Sequence, residues 1–109
     1  ITSLKTSAEI CAETTAVMRD VDVLATPTTL KPATPFTTAH DPELGFPRSN
    51  MAPFNLTGLP TLALPCGFSS SGLPLSLQLS GRPFEEGTVL RVGHAYEKAT
   101  AWHTRRPPV

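Results

Sequence analysis

Histidines and adjacent acids are the first side chains in this sequence that could do chemistry. His40, His94 and His103 are scattered over a predicted loop, a predicted helix and the C-terminal tail. A metal site would need them to converge on one ion, and nothing in their spacing indicates this, so no metal is expected. Glu85 and Glu86 resemble an acid–base pair, but adjacent helical residues point about a quarter turn or more apart. At a helix start their expected role is to complement the helix dipole.

The two cysteines are the next candidates for reactive groups. Cys11 lies on an amphipathic stretch and Cys66 in an apolar run, and neither belongs to a CxxC or Cys/His ligand pattern. We therefore expect two buried free thiols rather than a disulfide or a metal pair, which suits a reducing cytoplasm. No nucleotide or metal motif is visible, so no cofactor is expected.

Length and charge restrict the function classes. A chain of 109 residues can form one domain with one modest core. Lysine plus arginine equals aspartate plus glutamate at 9 each, so no net field favours nucleic acid or an anionic membrane. No apolar run approaches the roughly 18 residues of a spanning helix, and no targeting pattern is visible, so we expect a cytoplasmic location. The chain opens at Ile1 directly in a helical pattern, as a piece of a longer chain would.

The first half of the sequence predicts a helix, a strand and a loop. Apolar residues recur at three- and four-residue steps over 7–19, which predicts an amphipathic helix. The apolar run over 21–25 stops at Pro27, which is typical of a short buried strand. Six prolines and little periodicity over 26–53 predict a long irregular loop with a helical turn near Asn50.

The second half predicts a hairpin and a closing helix. A turn at 55–58 precedes an apolar strand over 59–68, and the serine-rich segment 69–72 supplies a hairpin turn. Leucine then alternates with serine and glutamine over 73–80, which predicts a half-buried antiparallel strand with a polar outer face. An amphipathic pattern over 84–103 predicts the last helix. The expected order is helix, strand, long loop, β-hairpin, helix.

Three stretches are distinctive in combination. Residues 22–28, 53–67 and 72–100 read DVLATPT, PFNLTGLPTLALPCG and GLPLSLQLSGRPFEEGTVLRVGHAYEKAT. Together they resemble the C-terminal part of the amidase-signature family, in order and with compatible spacing. The resemblance implies an α/β fold, a mixed β-sheet flanked by helices. It also implies that residues 1–109 are a single C-terminal segment of one larger domain.

The chemistry that the resemblance implies is serine-dependent amide cleavage. A serine nucleophile attacks the amide carbonyl, a second serine is held in a cis peptide, and a lysine kept neutral by its surroundings acts as the base. None of these three residues is expected in the C-terminal stretch, so no catalytic residue is assigned. The serines of 69–71 lack the family's flanking glycines and lie in a predicted turn. Lys31 and Lys98 have no serine pair near them in sequence.

Substrate contact is expected from the segment before the NLTGLP turn, which the resemblance places near the mouth of the active site. The substrate-binding candidates are Arg48, Asn50, Met51 and Phe54. In the tRNA-dependent amidotransferase members of the family, this loop is expected to carry an acid that holds the amino group of glutamine. Here no Asp or Glu lies between residues 45 and 55, and Arg48 stands near the expected place.

Three hypotheses of function follow. The first is a serine-dependent general amidase that hydrolyses a small or aryl carboxylic amide to acid and ammonia or amine, with these 109 residues inactive alone. The alternative is the A subunit of a glutamine-using tRNA amidotransferase, which the missing loop acid disfavours. The third is a non-catalytic fragment that self-associates through unpaired strands. The expected partners are a small-molecule amide and either the rest of the amidase domain or a second copy, with neither nucleic acid nor membrane in direct contact.

Overall fold

The computed structural model describes residues 2–37 and 49–108 of the chain. The elements are, in order, α1 (Thr2–Met18), β1 (Val23–Pro27), α2 (Met51–Thr57), β2 (Thr61–Phe68), β3 (Pro74–Gly81), α3 (Glu86–Ala99) and a short 3-10 helix (Trp102–Thr104). The predicted order of the helices and strands is confirmed over the described residues, with one correction, and part of the loop predicted over 26–53 lies outside those residues. The residues predicted as a turn at 55–58 lie instead in α2 and at its C-terminal end, because the prolines and irregular pattern before them masked a two-turn helix.

The three described strands form one antiparallel sheet in the order β1–β3–β2. The β2–β3 pair is the predicted hairpin, and Ser69 N donates to Leu73 O at 2.8 Å across its turn. The register shifts between Pro65 and Gly67, where a β-bulge lies. Gly67 has φ of +140° at this bulge, a backbone angle that residues with a Cβ rarely adopt.

The first strand is less buried than its apolar run predicts. β1 lies at an edge of the described sheet, and Ala25 and Pro27 on it are exposed. Pro27 is the last residue of the strand rather than a stop before it. A proline is tolerated there because the outer side of an edge strand requires no backbone N–H donor. The prediction that this strand is buried is therefore wrong, whereas the strand itself is confirmed.

The hydrophobic core lies between α3 and one face of the sheet. Leu64 of β2, Leu79 of β3 and Val89 of α3 are its buried centre. The partly buried side chains packed around them are Val23, Leu62, Leu77 and Tyr96. Each fully buried leucine or valine stabilises the fold by roughly 1.5–3 kcal/mol through removal of apolar surface from water. The leucine alternation on β3 therefore predicts the correct core face.

Only a narrow stripe of α3 faces this core. Val89 and Gly93 are buried and Tyr96 is half-buried, whereas Leu90 and Val92 are 58% and 38% exposed. The apolar residues of the amphipathic pattern over 84–103 include Leu90 and Val92, so that pattern is wider than the stripe that the sheet covers. The contact line follows steps of four and three residues, as helix geometry requires.

The polar face of β3 is buried, contrary to the prediction of a solvated outer face. Gln78 and Ser80 are 2% and 0% exposed. They are covered because β3 is the central strand of the described sheet and the segment around α2 lies over this face. Gln78 Nε2 donates to Asn50 O and Thr26 Oγ1, and the Ser80 and Thr61 hydroxyls lie 3.0 Å apart. Hydrogen bonding offsets the cost of removing such groups from water.

Arg82 connects three elements at one end of the sheet. Its Nε donates to Met18 O at 2.9 Å and its Nη2 to Val21 O at 2.8 Å. Ion pairs of 3.2 Å join it to Asp22 and to Glu85. The guanidinium fork thereby ties the end of α1 and the start of β1 to the residues that lead into α3. Glu85, expected to complement the helix dipole, is held mainly by this arginine.

Candidate functional site

Asn50 is the residue through which the predicted substrate-contacting segment is hydrogen-bonded to the sheet. Its backbone N donates to Thr28 O at 2.9 Å, and its side-chain Nδ2 donates to Pro27 O at 2.7 Å. Its carbonyl oxygen accepts a hydrogen bond of 3.1 Å from Gln78 Nε2. The neighbouring Ser49 forms an isolated antiparallel bridge with Thr29. The segment is therefore bound to the end of β1 and to the centre of β3.

The helix α2 begins directly after Asn50, and Phe54 is its buried side chain. Pro53 lies in its first turn, where a missing N–H costs no helical hydrogen bond. The helix ends at Gly58, which has φ of +69° and donates its N–H to Phe54 O at 3.0 Å. Glycine is favoured at this left-handed end of a helix because it has no Cβ.

Replacing Gly58 by alanine is expected to lower the free energy of unfolding by about 1–2 kcal/mol, because alanine is strained at positive φ. No atom lies within 4 Å of a Cβ built at this position, so the effect isolates the backbone term. Asparagine tolerates the left-handed region better, so Gly58→Asn should cost less than Gly58→Ala. Urea denaturation of both variants provides the measurement. Equal losses would contradict a conformational role for this glycine.

A cleft of about 320 Å³ lies between α2 and the sheet. Its lining consists of Thr28, Met51, Phe54, Asn55, Leu59, Thr61, Ala63 and Gln78. Within the described part of the chain, this lining is made of hydroxyl, amide and apolar groups and has no charged side chain. Such a surface suits a neutral polar group beside an apolar one, as in a carboxamide on a short carbon chain.

The structure brings together three of the four predicted substrate-binding residues. Phe54 is 7% exposed and Met51 is 43% exposed, and both line the cleft. Asn50 immediately precedes them, but its side-chain amide is engaged by Pro27 O. Arg48 lies outside the described residues. Substrate contact by these four residues stays a prediction.

Gln78 is the member of this site that the sequence patterns assigned to a solvated face. Its side chain lines the cleft and donates to both Asn50 O and Thr26 Oγ1. One signal in the sequence could have found it, because Gln78 is the only carboxamide in the three described strands. An uncharged amide amid leucine and serine is an unusual choice unless it has partners.

Other candidates lie away from this cleft. The Ser69 and Ser71 hydroxyls are 3.0 Å apart in the hairpin turn, and Ser69 Oγ also accepts from Leu73 N, so their turn role is confirmed. His94 is exposed on α3, and His103 lies in the 3-10 helix. His40 is outside the described residues. Cys11 and Cys66 are free and only partly buried, so the prediction that both thiols are buried is wrong.

The described helices include none with the length and apolar character needed to cross a membrane.

Within the described ranges, the cleft offers binding groups rather than a nucleophile paired with a base.

Known proteins resemble this chain over most of its length. The A subunit of the glutamyl-tRNA(Gln) amidotransferase of Chloroflexus aggregans is 52% identical over 93 residues, which is 84% of this chain and 19% of that protein. The protein of the same name from Brevibacillus brevis is 44% identical over 96 residues, with the same coverage of 84% and 19%. The chain therefore spans about a fifth of the length of the curated relatives it matches.

Solved structures agree with these relatives. A crystal structure of the glutamyl-tRNA(Gln) amidotransferase A subunit from Thermotoga maritima matches with a TM-score of 0.83 and 33% identity, covering 92% of this chain and 22% of that one. A crystal structure of an amidase matches with a TM-score of 0.72 and 28% identity, covering 90% and 24%. The predicted α/β fold, with a sheet flanked by helices as in amidase-signature domains, is thereby confirmed.

A protein-family model described as Amidase matches residues 1–90, which is most of the chain. The resemblance noted in the strand, turn and helix motifs is therefore confirmed. The chain belongs to the amidase family.

Proposed function

We propose that the protein carrying this chain acts as the A subunit of a glutamyl-tRNA(Gln) amidotransferase, releasing the amide nitrogen of glutamine for transfer to glutamyl-tRNA. The observation that carries this proposal is the 52% identity with the Chloroflexus aggregans protein across 84% of the chain. The TM-score of 0.83 with the Thermotoga maritima protein adds support. The neutral, amide- and hydroxyl-lined cleft is compatible with a carboxamide substrate.

Within that function, this chain supplies part of the binding wall. A serine nucleophile and its lysine base are provided by other residues of the protein, with the acyl-enzyme formed there and hydrolysed by water. The cleft beside α2 holds the substrate through Met51 and Phe54, and Asn50 fixes their position. Residues 1–109 alone should then turn over no amide.

A general amidase is the second candidate, and one observation favours it. No Asp or Glu lies between residues 45 and 55, and Arg48 stands near the sequence position where the amidotransferases are expected to carry the acid that binds the amino group of glutamine. A binding site without that acid fits a small or aryl amide that carries no amino group. The two candidates share the cleavage chemistry and differ in the substrate.

Ammonia release separates the two candidates. With glutamine as substrate, we expect release that increases when the partner proteins and glutamyl-tRNA are added, and that is abolished by a serine-directed reagent. The 109-residue chain assayed in parallel should release none. Turnover of an aryl amide without any glutaminase activity, with or without partners, would contradict the amidotransferase proposal and support the general amidase.

The chain's uncovered apolar surface bears on its partners. Leu90 and Val92 on α3 and Phe68 and Trp102 near the hairpin and tail are all at least one-third exposed. We propose that these side chains contact the rest of the amidase domain or, in the isolated chain, a second copy. Sedimentation of the 109-residue chain should then show a dimer or larger species, and a folded monomer at high concentration would contradict this.

A further inference from the structure

Gln78 lies in the middle of the central strand with its side chain removed from solvent. Its backbone is opposite Thr26 of β1 and Ala63 of β2, and the residue is 2% exposed. Burying an amide is unfavourable unless the amide is hydrogen-bonded. A leucine of similar size would occupy this place without that cost. The amide is therefore explained by its partners rather than by burial.

The side-chain nitrogen of Gln78 donates hydrogen bonds to two acceptors. Gln78 Nε2 donates to Asn50 O at 3.1 Å and to Thr26 Oγ1 at 3.3 Å. The opposite orientation of the amide would place Gln78 Oε1 against Asn50 O, two acceptors that cannot share a hydrogen. The carbonyl of Asn50 thus determines which way the amide points, and the amide in turn holds that carbonyl toward the sheet.

The bond from Gln78 completes a three-point attachment of Asn50. The other two points are Asn50 N to Thr28 O at 2.9 Å and Asn50 Nδ2 to Pro27 O at 2.7 Å, both to the end of β1. Of the three, the Gln78 bond is the one that reaches Asn50 from the central strand. Because α2 starts at the next residue, this bond contributes to the height of Met51 and Phe54 above the sheet.

We propose that Gln78 is a positioning residue for amide binding, acting through Asn50 to set the wall of the cleft formed by α2. The proposal rests on the proposed function for its consequence in catalysis, although the attachment itself is independent of it. Gln78 performs no bond chemistry in this role. Loss of its amide lowers substrate affinity while the nucleophile keeps its reactivity.

The kinetic test compares Gln78→Leu with Ser80→Ala in the full-length enzyme. Both positions are buried on the same face of β3, but the Ser80 hydroxyl bonds Thr61 on β2 rather than Asn50. We expect Gln78→Leu to raise KM for the amide substrate about tenfold with kcat changed by less than about threefold. The rate of inactivation by a small serine-directed reagent should stay within about twofold of wild type. Gln78→Met, which is flexible and apolar, replaces Gln78→Leu if that variant fails to fold.

Hydrogen exchange tests the attachment without activity. Amides of residues 50–57 should exchange faster in Gln78→Leu and at the wild-type rate in Ser80→Ala. An unchanged KM, a fall in kcat alone, or equal exchange in the two variants would overturn the proposal. If the wild-type enzyme hydrolyses no amide, the proposed function fails, and the exchange comparison still decides whether Gln78 positions the segment.

Discussion

Replacing Arg82 by alanine is expected to lower the free energy of unfolding by about 2–4 kcal/mol, the largest loss from a partly exposed residue of this chain. Two backbone carbonyls, Met18 O and Val21 O, lose their donors. Met18 is the last residue of α1 and is buried. The substitution therefore also removes a positive charge that interacts favourably with the negative C-terminal end of this helix. The exposed Asp22 contributes little to the total, because solvent screens that ion pair.

Two further variants identify the cause of this loss. Arg82→Lys should recover little stability, because a single ammonium cannot reach Met18 O, Val21 O and Glu85 in the geometry of the planar fork. Arg91→Ala is the matched control, since Arg91 is exposed on α3 and donates to Thr88 Oγ1 of the same helix. Urea denaturation measures the free energy of unfolding of Arg82→Ala, Arg82→Lys and Arg91→Ala. A full recovery by lysine, or an equal loss at Arg91, would contradict the role assigned to the fork.

Substitution of Gly93 by leucine is expected to destabilise the fold by about 2–3 kcal/mol through overpacking. A Cβ at this position would lie 2.6 Å from Leu62 Cδ2 and 3.4 Å from Leu64 Cδ1. A longer side chain must therefore displace α3 from the sheet or force both leucines out of their places. The higher helix propensity of leucine, worth about 0.8 kcal/mol, offsets only part of this cost.

Gly87 is the matched control on the same helix. The nearest atom to a Cβ built there is the flexible Arg91 Nη1 at 3.9 Å, so Gly87→Ala introduces no clash. The free energy of unfolding of this variant should stay unchanged or rise by up to about 1 kcal/mol, because alanine loses less backbone entropy than glycine. Thermal or urea denaturation gives the comparison. Tolerance of leucine at Gly93 would show that α3 does not pack closely on β2.

The candidate site was predictable where local chain order decides it. Asn50, Met51 and Phe54 are consecutive or one helical turn apart, so a segment identified in sequence stays together in the fold. Gln78 could not be placed in the same way. Its contact with Asn50 spans 28 residues, and its neighbour Thr26 is 52 residues away along the chain. Such contacts depend on which strands pair and which helix covers them.

By itself, the sequence determined the helices α1 and α3, the hairpin and the leucine face of β3, but not α2. Helical and strand periodicity is a local property, and the serine-rich turn specifies its own connection. It also carried the motif order of the amidase family. Only the tertiary structure decided three features, which are the burial of the polar face of β3, the edge position of β1 and the contacts by which Arg82 connects α1, β1 and α3. Alternation in a strand distinguishes two faces but does not say whether a second layer covers the polar one. That depends on residues distant in the chain, here Asn50 over Gln78.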